Sequence, residues 1–465
     1  MKYSVACVLL LFVAVESFSS SRSSSTSRLV MQDQKLVFNR KLASKAAGLL
    51  LASASLFSFN QSPAYADRPL NAPSAAGTRV NSDPESLLRY GLPIDNTEIR
   101  DIQASIENVK VNLKTRRISF ARGDVSNAKE RMKKYGDKIM KAVPANHKEA
   151  AATAFAKMDA DIPPLLESIA AEEGAGAGSV QQRASLDLSF KYQDELAKDL
   201  TVFEELMVPD TYKRTIPDEY KALGLPVLEK RATVNMVIKK PDGSKFNIDG
   251  VLFDEVKLNM VIDGYNAPIS GGNFVDLVDK GFYTNMKIQR ADGFVTQTGD
   301  ANPDGKVHGY APAGGKERKV PLEIAVKGDK ELLYAATTED DMRGYAATVL
   351  PFQAYGALGQ AREEFDVESA SSQFFWLLFE SDLTPAGKNL LYGRYSLSLI
   401  PYLIYLPYVL YLILFLIPPA GKNLLDGRYS SFGYTIEGAE LLKDVREGDV
   451  IASAKVVKGI ENLQR

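Results

Sequence analysis

The sequence predicts an α+β chain, with an N-terminal antiparallel helical bundle followed by a closed β-barrel of about eight strands with two capping helices. Two observations carry that expectation. Apolar residues recur at three- and four-residue spacing as far as residue 207, and from residue 233 they alternate with polar ones instead. Between the two patterns lies a stretch punctuated by Pro209, Pro217 and Pro226, which reads as a linker.

Residues 1–66 read as targeting segments, and residues 67–82 as a lead-in. Met1 to Ser17, with Lys2 and the apolar run Val5 to Val15, has the form of a secretory signal peptide and is too short to span a bilayer. From Phe18 the chain is Ser- and Arg-rich with no acid before Asp33, the composition of a plastid transit peptide. Arg40, Lys41 and Lys45 then precede the largely apolar Ala46 to Phe59, and Ala64-Tyr65-Ala66 supplies a small-x-small cleavage site. Three signals in series describe import through the endoplasmic reticulum, a plastid with extra envelopes, and export into the thylakoid lumen. Cleavage after Ala66 would remove Cys7, the one cysteine, and with it disulfide and thiolate chemistry. His147 and His308 are the only histidines, which leaves neither a His/Cys metal set nor a Ser-His-Asp triad. No cofactor is implied.

In the bundle, residues 83–207, Asp83 is placed to cap a short helix that starts at Pro84 and runs to Tyr90. Thr97 is expected to cap a longer one, along which Ile99, Ile102, Ile106, Val109 and Leu113 make a single apolar stripe. Its expected partners are Val125 to Val143, Lys148 to Met158, Ile162 to Ala171 and Ser185 to Leu206. The glycine-alanine run Gly174 to Gly178 has no strand before it and no lysine after it, so it reads as a helix connection rather than a phosphate loop. Residues 99–142 carry twelve Lys+Arg against five acids, and residues 159–219 carry fourteen acids against five bases. Such opposed charges solvate adjacent helices that attract one another. With no aromatic platform beside the basic face, nucleic-acid binding is not expected.

After the linker, residues 208–231, the last region spans 232–465. Thr233 to Lys239 alternates, Pro241-Asp242-Gly243 marks a turn, Val251 to Phe253 and Leu258 to Ile262 supply strands, and Gly272-Asn273-Phe274-Val275 opens a helix. Three blocks then follow in order: FYTNMKIQRADGFVTQTGD (Phe282 to Asp300), SSQFFWLL (Ser371 to Leu378) and LLDGRYSSFGYT (Leu424 to Thr435). In the first, Arg290 sits between apolar strand residues and is followed by Gly-Phe-Val-x-Gln-x-Gly-Asp. These blocks resemble the pocket-forming segments of the cyclophilin-type peptidyl-prolyl cis-trans isomerases. The helical N-terminal region and the Lys319 to Tyr334 insertion make the chain most similar to the multidomain thylakoid-lumen members of plants and algae.

Twisting an Xaa-Pro amide crosses a barrier of about 18–20 kcal/mol, which falls if the prolyl nitrogen loses conjugation. The resemblance makes Arg290 the catalytic residue, donating to that nitrogen in a water-poor site. It implies that Phe294, Val295 and Phe375 hold the proline ring. Gln297 and Gln373 would hold the substrate backbone and steady Arg290, with Leu424, Leu425 and Tyr429 as the far wall. It further implies a role in photosystem II assembly and repair, with the helical domain covering or regulating the groove. The implied partners are proline-containing loops of photosystem II subunits, the thylakoid membrane periphery and a thylakoid protein phosphatase. Several positions depart from the family pattern. Gln289 and Tyr429 stand where histidine is usual, Leu424 stands where tryptophan is usual, and the turn after Arg290 is one residue shorter. Losing the indole removes an apolar face and a donor, so the departures favour a proline-binding chaperone with weak or no turnover. The alternative is an active isomerase using Arg290 and regulated by the helical domain.

An insert interrupts the third block. PAGKNLLYGRYS (Pro385 to Ser396) returns as PAGKNLLDGRYS (Pro419 to Ser430) at an offset of 34, around the uncharged Leu397 to Pro418. Its length and apolarity would fit a membrane span. A single crossing, however, would put Phe374-Phe375 and the strand near Phe432 on opposite sides of the membrane, and Pro401 and Pro407 would interrupt the helix. Deleting one unit, for example Tyr392 to Leu425, restores the family spacing. A duplication artefact of the gene model is therefore favoured over a surface or membrane-touching hairpin, and over a true span.

Overall fold

The computed structural model describes residues 81–302, 308–344, 346–379 and 425–465, all within the unit Ala75–Arg465. The targeting segments, Leu424 and the insert from residue 380 up to that leucine lie outside the described residues. Among those described, no helix is long and apolar enough to cross a membrane.

The helical part comprises α1 (Pro84–Gly91), α2 (Thr97–Lys114), α3 (Ile118–Ala142), α4 (Lys148–Gly174) and α5 (Val180–Met207). Asp83 caps α1 by accepting the Ser86 amide at 3.0 Å. The expected cap of α2 is corrected by one residue: Asn96 accepts the Ile99 amide at 3.0 Å, while the Thr97 hydroxyl turns to Glu98. The α2 stripe from Ile99 to Leu113 is completely buried. The two short helices expected between Lys148 and Ala171 are a single one, α4, with Pro163 and Pro164 in its interior. Each proline removes a helical donor. Met158, Ile162, Leu165 and Ile169 nevertheless form one buried row through the interruption, and their packing keeps the axis continuous. Arg122 pairs with Glu173 at 2.7 Å and Arg116 with Glu172 at 3.2 Å, so part of the charge asymmetry is spent between the basic and the acidic stretch.

On α5, Glu204 is fully buried, and neither of its carboxylate oxygens has a hydrogen-bond partner. Arg100 Nη1 stands 3.7 Å away. Burial drives the carboxyl up to about 8 despite the pull of Arg100 and Arg89. Unfolded, it returns to near 4.5. Between those values the folded chain keeps a proton that the unfolded chain releases, so stability falls as pH rises through this window and levels off above it. Glu204→Gln should flatten that slope and stabilise the protein at pH 8 by roughly 1–2 kcal/mol, read from urea unfolding at about pH 5 and pH 8. An unchanged slope would mean that Glu204 is ionised in the folded chain.

After the short helix α6 (Asp218–Lys221), the chain enters an antiparallel sheet. Its strands are β2 (Arg231–Lys239), β5 (Val256–Asp263), β6 (Arg290–Ala291), β7 (Val295–Thr298), β10 (Ala357–Gln360), β11 (Phe374–Leu377), β12 (Ser431–Glu437) and β13 (Val450–Lys458), in the order β13-β2-β5-β12-β10-β11-β7-β6. Small pairs lie outside it: β1 (Val227–Leu228) with β14 (Leu463–Gln464), β3 (Phe246–Ile248) with β4 (Val251–Phe253), and β8 (Glu323–Ile324) with β9 (Leu333–Tyr334). The closed barrel expected from the sequence is corrected to a curled eight-stranded sheet. β6 is only two residues long, so no ladder joins it to β13. The two edges are linked by the Lys287–Val450 bridge and a few backbone bonds around it, among them Ile288 N–H to Asp449 O at 2.7 Å.

Two capping helices were also expected. One is present as α7 (Pro268–Asp279), starting earlier than Gly272, while the other is a six-residue 3-10 turn, Ala439–Asp444. The N-terminus of α7 is capped from the insertion. Buried Glu323 accepts the Ile269 and Ser270 amides at 3.2 and 2.9 Å and the Tyr334 hydroxyl at 2.8 Å. The sheet core gathers Val234, Met236, Met260, Phe274, Phe374, Trp376 and Phe432. A second cluster covers the other face of β11, and it includes Leu87 and Leu88 of α1. The first helix of the bundle thus serves the sheet.

Candidate functional site

Strand register brings the sequence-predicted residues into one row. Arg290 on β6 pairs with Gln297 on β7, Gln297 with Phe375 on β11, and Phe375 with Gly359 on β10. Residues directly opposite in antiparallel strands share a face. Alternation along β11 sends Phe374 and Trp376 into the sheet core and Phe375 and Leu377 to the other face. Val295, two residues before Gln297, joins the same face opposite Leu377.

Phe375 is 4 % exposed; its ring stacks on Phe352 at 5.8 Å and 21° and meets Tyr429 edge-on at 5.8 Å. Phe294 and Leu425 pack against this cluster. Tyr429 also lies under the Arg362 guanidinium, 5.0 Å from its ring centre. The wall residue is therefore engaged within the chain on two sides. Leu424 falls outside the described residues, whereas Trp376 is fully buried in the sheet core and takes no part in the wall.

The glutamines behave differently from the expectation. Gln297 Nε2 donates to Gln373 Oε1 at 2.9 Å, so the two hold each other, and neither steadies Arg290. Among the described residues, the hydrogen bonds of the Arg290 guanidinium go to Asp292: Nε reaches Oδ2 at 2.7 Å and Nη2 reaches the same oxygen. Asp292 is fixed in turn, since its Oδ1 accepts the amides of Phe294 and Val295, each at 2.9 Å. Burial pushes this carboxyl up, but the Val295 and Phe294 amides and the Arg290 charge outweigh it, leaving it below its ordinary value. The physical reason for the correction is the short turn, which puts a carboxylate two residues from the arginine. Gln289 takes the opposite parity from Arg290 and donates to Asp300 O at 3.2 Å.

Sequence reasoning passed over Asp292, Phe352 and Gly359. Asp292-Gly293 was a visible turn signal beside the arginine. Phe352 approaches from a long loop and had no local signal.

This fold and this row define a cyclophilin-type domain. Residues 251–463 match the family described as cyclophilin type peptidyl-prolyl cis-trans isomerase/CLD, and residues 83–189 match the PsbQ-like domain of CYP38-like peptidyl-prolyl cis-trans isomerases. The chain is 36% identical over 385 residues to the chloroplastic peptidyl-prolyl cis-trans isomerase CYP38 of Arabidopsis thaliana, covering 82% of this chain and 75% of that protein. It is 36% identical over 401 residues to a putative thylakoid lumen peptidyl-prolyl cis-trans isomerase of Synechocystis, covering 85% and 88%. Chloroplastic CYP37 of Arabidopsis thaliana is 28% identical over 402 residues, covering 83% and 72%. The chain belongs to the cyclophilin-type peptidyl-prolyl cis-trans isomerase family, in the branch that carries a PsbQ-like helical domain. One of these relatives is named as chloroplastic and another for the thylakoid lumen, and the compartment of this chain is the plastid thylakoid lumen.

Proposed function

We propose that the Arg290 groove binds proline-containing segments of photosystem II subunits at the thylakoid membrane periphery, assisting assembly and repair with weak or no isomerase turnover. The observation that carries this reading is an arginine retained in register with Gln297 and Phe375 while its guanidinium is taken up by Asp292. The apolar face is kept for a proline ring, but the group that would twist the amide is engaged elsewhere. The helical domain acts on the groove through Leu87 and Leu88, which pack in the same cluster as Phe375 and Val295. The second reading, an active isomerase, is favoured by the intact row itself.

The test uses the whole chain. A fragment starting at Ala232 would lose Arg231, which pairs with buried Asp263, and also β1, which pairs with β14. Proline-peptide binding and isomerisation are measured for the full chain and for Arg290→Ala. The expected result is binding weakened by about tenfold in the variant, the loss of one charge-assisted hydrogen bond to the peptide backbone from Nη1, the nitrogen that Asp292 does not take, with isomerisation slow in both. Fast isomerisation abolished by the substitution would establish the enzyme reading instead.

A further inference from the structure

Three features of the Arg290 turn point the same way. The carboxylate of Asp292 is not a loose surface partner, because two backbone amides fix one of its oxygens and aim the other at the guanidinium. The guanidinium gives both Nε and Nη2 to that single oxygen, spending the two donors that lie on one edge of its plane. The glutamine opposite Arg290 in the strand ladder gives its Nε2 to Gln373, and the hydrogen bonds of the guanidinium go to Asp292 instead. We propose that Asp292 is a positioning residue that holds Arg290 back from a bound proline segment and so limits turnover in this groove. The proposal rests on the functional reading above. Moving the guanidinium to a prolyl nitrogen requires breaking the Asp292 pair first, and the charge left on the carboxylate opposes that move.

Both side chains are partly exposed, at 53% and 40%, so the pair is weakened by water and by salt. The effect on rate is correspondingly modest. Asp292→Asn keeps an oxygen for the Phe294 and Val295 amides and removes only the charge. Its kcat/KM for a proline peptide is expected to rise by about threefold, with no rise when Arg290→Ala is also present. Added salt should raise the wild-type rate and leave the Asp292→Asn rate flat, a difference that loss of structure would not produce. If Asp292→Asn is no faster than wild type while Arg290→Ala still weakens peptide binding, the restraint is refuted and the groove reading stands. If Arg290→Ala changes neither binding nor rate, the groove reading falls and the restraint with it.

Discussion

Replacing Arg231 by alanine is expected to lower the stability of the folded chain by about 3–5 kcal/mol, the cost of leaving a buried ion without its partner. Arg231 opens β2, and its side chain is 9% exposed. Its Nε and Nη2 reach Asp263 Oδ2 at 3.1 and 2.8 Å, Nη1 reaches Glu205 at 3.3 Å, and Nη2 also donates to Leu88 O. One guanidinium thereby ties α1, α5 and β5. Asp263 is completely buried, and its other oxygen accepts the Asn266 amide at 3.0 Å. Asn266 in turn donates to Gly91 O at 2.7 Å, at the end of α1. Alanine would strand the Asp263 charge and remove the tie to Leu88 O of α1. Arg231→Met, which restores the bulk without the charge, should be nearly as costly, because the carboxylate remains. Arg231→Met/Asp263→Leu should recover only part of the loss, since the apolar pair removes the stranded charge but leaves the buried Asn266 amide without its acceptor. Urea unfolding of the three variants reads the series. An alanine variant within 1 kcal/mol of wild type, on the order of a surface pair, would show that the Asp263 site is wet and the linkage superficial.

The bundle was legible in the sequence because its signals are local. The α2 stripe follows from residue spacing, and the Asp83-Pro84 cap follows from two adjacent residues. Where the reading failed, a longer-range force decided the outcome. The sequence places a break between Met158 and Ile162, yet core packing on both sides carries one helix through that stretch and through Pro163 and Pro164. In the sheet, alternation was enough to find β2 and β5 but not the register. The row Arg290, Gln297, Phe375, Gly359 exists only once four strands are paired. Glutamines assigned to Arg290 by resemblance found each other instead, because Asp292 lies closer along the chain and carries the opposite charge. Nothing in the spacing of Leu87 and Leu88 told which domain they would serve. Their burial beside Phe352 and Phe375 is a tertiary fact, and it gives the helical domain a physical route to the groove.

The same row yields the second large effect, at Gly359. A β-carbon there would lie 2.2 Å from Cζ of Phe375 and within 2.8 Å of two further ring atoms. The ring has little room to retreat. It is 4 % exposed, stacked on Phe352 and held edge-on by Tyr429, whose own ring lies under Arg362. Glycine is required here for close approach rather than for an unusual backbone angle, and the aromatic ring fills the space its missing side chain leaves. Gly359→Val should therefore cost about 3 kcal/mol through overpacking. It should also displace the Phe375 ring from the apolar face and weaken proline-peptide binding by about tenfold, the share of a ring-sized apolar contact. Gly123→Ala in α3 supplies the contrast, since nothing lies within 4 Å of the added carbon and the site is inside a helix. That change should stabilise by about 0.5–1 kcal/mol and leave binding alone. If Gly359→Val bound peptide as wild type did while losing the expected stability, Phe375 would support the sheet without contacting the ligand. The ring-holding role would then pass to Phe294 and Val295, the other two residues that the resemblance assigns to it.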